Sequence, residues 1–264
     1  MHRLPGKKRE LSKRGVPVVF DANESEAAAV IADRARELHS PCTALEKKMY
    51  RMLEFKNNFI DFSLSTAYDK ETRWTIPGAA DYQVENAALA ILAMRILQQQ
   101  YPSAFSGDSF ERQLHSGMKA AFWPGRMQEI APEIYFDGAH NTSGIGMFTE
   151  AVNRLTAKDT YRPLLLFSMV KEKDYSTSID MLTSDIVWDE MAVTTIPNER
   201  GISFEKLEKL FEEDTDRPVT GYADYREAFR AMKEKKKPGQ KFFCTGSLYF
   251  IGALMEVWKE NCDD

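Results

Sequence analysis

The segment 134-IYFDGAHNTSGIGMF-148 contains the most concentrated polar chemistry in the chain: an apolar run breaks into Asp137-Gly138-Ala139-His140-Asn141 and resumes at helical spacing. That pattern predicts a strand running into a helix. In an open α/β sheet the carboxyl end of a strand is where ligands sit, because the following loop and helix N-terminus present backbone N–H groups to an anion. Asp137, His140 and Asn141 are therefore the first candidates for function. An Asp-Gly after a strand is also an ordinary turn, with the aspartate capping its own backbone, so the rest of the chain must decide its meaning.

Two familiar nucleotide signatures, and the cysteines, can be tested directly. Gly144-Ile-Gly146 with Thr149 is a poor dinucleotide fingerprint: its glycines fall inside the expected helix, and no acidic residue ends the next strand where a ribose partner belongs. The Gly-Lys pair Gly6-Lys7 is followed by Lys8 rather than Ser or Thr, and Met1 occupies the place of the first motif glycine, so the 264 residues hold no Walker A loop. Cys42, Cys244 and Cys262 are odd in number, widely spaced and lack C-x-x-C or histidine companions, which indicates neither a disulfide framework nor a zinc site. No metal ligands are assigned.

The elements that must position these residues follow from periodicity. Short β-rich runs at 133–137, 163–170, 190–196, 218–222 and 241–246 alternate with amphipathic stretches near 143–155, 175–184, 203–213, 223–235 and 247–259. Strand then helix, repeated, predicts a parallel sheet with helices on both faces. The first half is less regular: a strand at 16–20, a helix over about 24–39, a β-like pair near 50–55 and 59–66, a long helix over about 82–99 and another near 108–121. Pro124-Gly125 then marks a break, which places the domain boundary near 123–129 and divides the chain into 1–125 and 126–264.

At 43% apolar and 28% charged residues, the chain can bury a sizeable core, and its formal charge of -5 argues against a general nucleic-acid binder. Lys7, Lys8, Arg9, Lys13 and Arg14 read as a solvated basic terminus. No apolar run has the length of a membrane span and no signal-peptide core follows the basic residues, so a cytoplasmic location is the expectation. His2, His39 and His115 are expected on the surface.

Four segments in order, 82-YQVENAALAI-91, 123-WPGRM-127, 137-DGAHN-141 and 245-TGSLYFIG-252, resemble folylpolyglutamate synthase/dihydrofolate synthase, in the Mur ligase superfamily. The likeness extends to Lys173-Asp174 and to 15-GVPVVF-20, although a solvated Lys-Glu-Lys-Asp turn describes Lys173-Asp174 better. It implies an α/β fold: a C-terminal Rossmann-like, parallel-sheet glutamate ligase domain preceded by the closing part of a Mur ligase central ATPase domain. The implied activity is ATP-dependent addition of L-glutamate to a folate through an acyl phosphate, with ATP and Mg²⁺ as cofactors and folate and L-glutamate as substrates. Neither nucleic acid nor membrane is an expected partner.

The resemblance also assigns roles residue by residue. Asn86, Arg126 and Asp137 fall in the nucleotide site, and His140 and Ser247 in the substrate site. Arg126 and His140 are the pair at the reacting centre, His140 by holding substrate or phosphate rather than by general acid–base work. Ser247 has an equally good reading as a helix cap. The phosphate loop and the Mg²⁺ ligands are expected in a region preceding these residues, so the chain alone is expected to be incomplete, with a complementary segment bearing the phosphate loop as a partner. Two readings from other classes stay open: a non-catalytic nucleotide- or glutamate-binding remnant or split subunit, and an interaction role built on an exposed sheet edge.

Overall fold

The computed structural model describes residues 13–260 apart from Glu24, Asn57 and Ser106; His2, Lys7, Lys8, Arg9 and Cys262 lie outside the described residues. The chain forms two compact units. One runs to Pro77 and resumes over Asp81–Phe122; the other comprises Gly78–Ala80 and the chain from Trp123 onward.

Among the described residues the first unit combines two small sheets with three α-helices. Strands β1 (Val18–Asp21) and β2 (Cys42–Leu45), joined through helix α1 (Ser25–Glu37), pair in parallel, whereas β3 (Tyr50–Lys56), β4 (Phe59–Leu64) and β5 (Thr72–Pro77) form an antiparallel meander. Helices α2 (Tyr82–Gln100) and α3 (Gly107–Ala120) complete it. Alternation explains the meander: Ile60, Phe62 and Leu64 of β4 and Trp74 and Ile76 of β5 point inward, meeting Val84, Ala88, Ile91 and Leu92 of α2. The sequence reading contains neither β2 nor β5. Strand β5 carries only two apolar residues at alternate positions, too little for periodicity to register before its neighbour is known.

The second unit is a six-stranded sheet in the order β10-β9-β8-β11-β7-β6. Its parallel strands are β7 (Ile134–Phe136), β8 (Leu164–Phe167), β9 (Glu190–Thr194), β10 (Val219–Tyr222) and β11 (Phe242–Thr245), with β6 (Gln128–Ala131) antiparallel at one edge. Helices α4 (Thr142–Thr156), α5 (Tyr175–Asp185), α6 (Phe204–Asp214), α7 (Tyr225–Lys235) and α8 (Leu248–Glu260) follow β7, β8, β9, β10 and β11. The strands are near-continuously apolar because both faces are covered. On one face Phe243 packs on Tyr135, Phe148 and Trp188, and Phe167 on Phe211; on the other, Phe136 and Phe242 meet Phe229. The parallel α/β fold anticipated from alternating periodicity is the fold observed. Strand β8 ends at Phe167, three residues short of the apolar run, and the Ser168 amide still donates to Thr245 O of β11 at 3.2 Å.

The connections decide which edge of this sheet is the candidate for function. The chain leaves β7 for β8, continues outward to β9 and β10, and then returns to insert β11 between β7 and β8. Helix α4 packs on the Phe243 side, whereas α8 packs with Phe250 and Leu254 in the Phe136–Phe229 core. The strand order therefore reverses at β11, and its carboxyl end is a switch point of the kind at which open α/β sheets bind ligands.

Candidate functional site at the carboxyl edge

Loops leaving β7 and β11 meet at this switch point. Asp137 follows β7, with its amide donating to Cys244 O at 2.9 Å, and Gly246 follows β11, with its amide donating to Ala139 O at 3.1 Å. The two loops are thus stitched directly to each other. Gly246 has φ +113°, and a β-carbon there would lie 2.4 Å from Ser168 O, so glycine is required both by the backbone conformation and by the close approach of the β8 loop.

Asp137 is 2% exposed. One carboxylate oxygen accepts the amide of Ala139 at 2.8 Å, and the other accepts the amide of Met127 at 2.7 Å. The second bond reaches into the segment 123-WPGRM-127. There Gly125 (φ +68°) and Met127 (φ +43°) both adopt left-handed backbone, uncommon for a methionine. The Gly125 amide donates to Gln128 Oε1 at 3.0 Å, and Gly125 O accepts the Gly138 amide at 2.7 Å. Arg126, between the two left-handed residues, is half-buried and makes no side-chain hydrogen bond or ion pair among the described residues. A guanidinium held on a pinned turn, with its five donors unspent, is suited to a planar anionic oxygen set.

His140 donates from Nδ1 to Gly138 O at 2.8 Å; because a carbonyl can only accept, the proton is assigned to Nδ1, and neutral His140 presents Nε2 as an acceptor. Asn141 caps α4, its Oδ1 accepting the Gly144 amide at 2.8 Å. The N-terminus of the 15-residue α4 therefore opens beside His140. Ser247, 2% exposed, precedes α8, and its Oγ accepts the Tyr249 amide at 3.2 Å. Its hydroxyl acts as a cap and retains its proton for a further acceptor.

The structure thus gathers Arg126, Asp137, His140 and Ser247 in the second unit, on the loops around β7 and β11. Asn86 belongs to the first unit, exposed on α2, with no side-chain hydrogen bond among the described residues. Its neighbour Glu85 is structurally engaged, accepting from Tyr50 Oη at 2.7 Å and Asn23 Nδ2 at 3.2 Å. Burial, and then that bond to a carboxylate, push the Tyr50 phenol well above its usual range. Asp174 caps α5 through the Thr177 amide at 3.2 Å, and Lys173 sits beside it in the same turn. His115 departs from its surface expectation: it stacks on Trp74 with ring centroids 3.9 Å apart.

Two residues of the site lie outside the sequence reading. Gln128 holds the Arg126 turn, and Thr245, fully buried at the end of β11, has a hydroxyl with no hydrogen-bond partner among the described residues. Thr245 opens the 245-TGSLYFIG-252 motif, which was the available signal; Gln128 is one residue beyond WPGRM and carried none.

Arg126, the hydroxyls of Ser247 and Thr245 and the open end of α4 form a donor-rich set that fits phosphate or carboxylate oxygens, and Nε2 of His140 adds an acceptor for a ligand hydroxyl or N–H. The same residues do not fit a metal: among the described residues no three His, Cys, Asp or Glu side chains group as ligands.

Fold and edge chemistry define a doubly wound α/β domain with hydrogen-bond donors gathered at its switch point, preceded by a smaller mixed unit. Comparison with known proteins narrows that class. No family model matches the chain. It is 27% identical over 275 residues to the dihydrofolate synthase/folylpolyglutamate synthase of Bacillus subtilis, covering 98% of this chain and 58% of that protein. To the folylpolyglutamate synthase of Lacticaseibacillus casei it is 25% identical, with 95% and 56% covered. Among solved structures, E. coli FolC in complex with DHPP and ADP superposes with a TM-score of 0.72 at 22% identity, covering 96% of this chain and 56% of that one. The chain is a relative of the folylpolyglutamate and dihydrofolate synthases over nearly its whole length, and it spans rather more than half the length of these relatives. Among the described residues no helix is long and apolar enough to cross a membrane.

Proposed function

We propose that the chain is the glutamate-adding portion of an ATP-dependent amide ligase acting on a folate in the cytoplasm. Residues 126–264 act as the glutamate ligase domain and 1–125 as part of the ATPase domain. In this reading ATP phosphorylates a folate carboxylate, ADP leaves, and the amine of L-glutamate attacks the acyl carbon, forming the amide as phosphate departs and a proton is released. The observation that carries the proposal is similarity to folylpolyglutamate synthases over at least 95% of the chain.

Each residue of the edge has a task that its geometry supports. Arg126 neutralises phosphoryl oxygens as charge redistributes. His140 and Ser247 hold substrate carboxylate or phosphate, Ser247 through its hydroxyl proton and His140 through the Nε2–H that its imidazolium form carries. Asn86 and Asp137 are assigned to nucleotide binding, Asn86 by hydrogen bonds from its amide. Mg²⁺ supplies charge neutralisation when bound. Its ligands, with the phosphate loop, are assigned to a complementary segment, because these 264 residues contain neither a Walker A sequence nor a ligand cluster among the described residues.

The test is incorporation of labelled L-glutamate with ATP and a reduced folate, by the chain alone and by the chain joined to a phosphate-loop segment from a relative. Positioning and charge neutralisation supply most of phosphoryl-transfer catalysis. The chain alone should therefore be inactive and the joined protein active. Activity of the chain alone would overturn the need for a complementary segment. An inactive joined protein that still binds ADP would favour a nucleotide-binding remnant over a ligase.

A further inference from the structure

The carboxylate of Asp137 points away from solvent and into the backbone. With 2% of its surface exposed and both oxygens accepting amide hydrogens, it is poorly placed to reach a ligand and well placed to hold a turn. The turn it holds is costly, since two residues of 123-WPGRM-127 sit in left-handed backbone and Met127 has a β-carbon that disfavours it. Such a conformation persists only where its surroundings over-determine it.

Three bonds do so here: Asp137 Oδ2 on the Met127 amide, Gln128 Oε1 on the Gly125 amide and Gly125 O on the Gly138 amide. The position also admits no side chain, because a β-carbon on Gly125 would lie 2.9 Å from the Ile251 side chain of α8. All three bonds act on the residues flanking Arg126, and none uses the Arg126 side chain.

We infer that Asp137 and Gln128 are positioning residues, a two-point brace that sets the direction of the Arg126 guanidinium before an anionic ligand arrives. Pre-ordering the turn removes from binding the cost of immobilising it. The inference rests on the ligase reading for the identity of the ligand, but the brace itself is a property of this loop.

Two measurements on the full chain separate the alternatives. Hydrogen exchange at the Met127 amide reads the brace without reference to activity. Asp137→Asn should raise its exchange rate by at least about tenfold, because an amide in place of the carboxylate can no longer accept both backbone N–H groups. Gln128→Ala should do the same at the Gly125 amide, with Gln128→Glu restoring protection through its carboxylate oxygen. ADP affinity then reads the consequence: Arg126→Ala and Asp137→Asn should each weaken binding by roughly tenfold, and the double variant no further than either alone. Unchanged exchange in Asp137→Asn, or losses that add in the double variant, would overturn the brace. If Arg126→Ala leaves ADP affinity intact while the exchange results hold, the brace stands and the nucleotide role of Arg126 fails.

Discussion

The two units solve the problem of holding functional groups with different physics. In the second, aromatic side chains interlock on both faces of a parallel sheet, and the edge that bears the candidate site follows from strand order. In the first, the antiparallel meander is tied to its helices by ionic contacts at the border of its core. Arg95 of α2, with only 8% of its side chain exposed, donates to Asp69 at 2.8 Å, pairs with Glu111 of α3, and lies 5.8 Å over the Trp74 ring. Where apolar area suffices, packing alone can fix an edge; where sheets are small, a buried charge network supplies the register and carries a liability if one partner is removed.

Truncating the aromatic hub is expected to have the largest effect. Phe243→Ala removes the ring that meets Tyr135, Phe148 and Trp188, and should cost about 3–5 kcal/mol in urea unfolding. A loss below about 1 kcal/mol would show that the sheet does not depend on this ring.

Arg95→Ala should cost a comparable or slightly smaller amount near neutral pH, about 3 kcal/mol, because it strands the buried Asp69. Its pH dependence distinguishes it. The hydrogen bond from Arg95 holds the Glu111 carboxyl below its ordinary range, so that stabilisation is complete above the usual carboxylate pKa and is lost as pH falls through the depressed folded value. The difference between wild type and Arg95→Ala should therefore shrink on acidification, whereas that for Phe243→Ala should not. Parallel pH curves for the two variants would erase the contrast between the units.

Gly246→Ala tests the edge itself. The positive φ and the 2.4 Å approach of Ser168 O should together cost roughly 1–3 kcal/mol, and should weaken ADP or glutamate binding by displacing the loop that bears Ser247. Asn141→Ala is expected to be the mildest, about 1 kcal/mol for a lost cap on α4. Thermal unfolding with ligand titration checks both. If Gly246→Ala proved milder than Asn141→Ala, the loop stitching would matter less than the helix terminus.

Much of the second unit was legible in the residues alone. Strand-helix alternation over 133–259 anticipated every parallel strand and following helix, and the Asp-Gly-Ala-His-Asn run marked the edge of β7. The first unit was harder to read, because strands such as 72–77 carry two inward residues and gain their meaning only from a neighbouring strand. Arg95 illustrates the same limit: inside a helix sequence it looks like a solvated charge, and only α3 and the β4–β5 loop bring Glu111 and Asp69 to it.

What the sequence determined by itself was local: periodicity, the cap at Ser247, and the residue types able to meet an anion. The insertion of β11 between β7 and β8 came from tertiary structure, as did the choice of partner for Asp137. A side chain ten residues from Met127 along the chain has no local signature of bonding to its amide; that contact exists because β6 turns back beside β7 and carries the Arg126 loop over the carboxylate. Secondary structure is written in the short-range pattern of the chain, but which polar atoms meet is settled by strand order and loop closure.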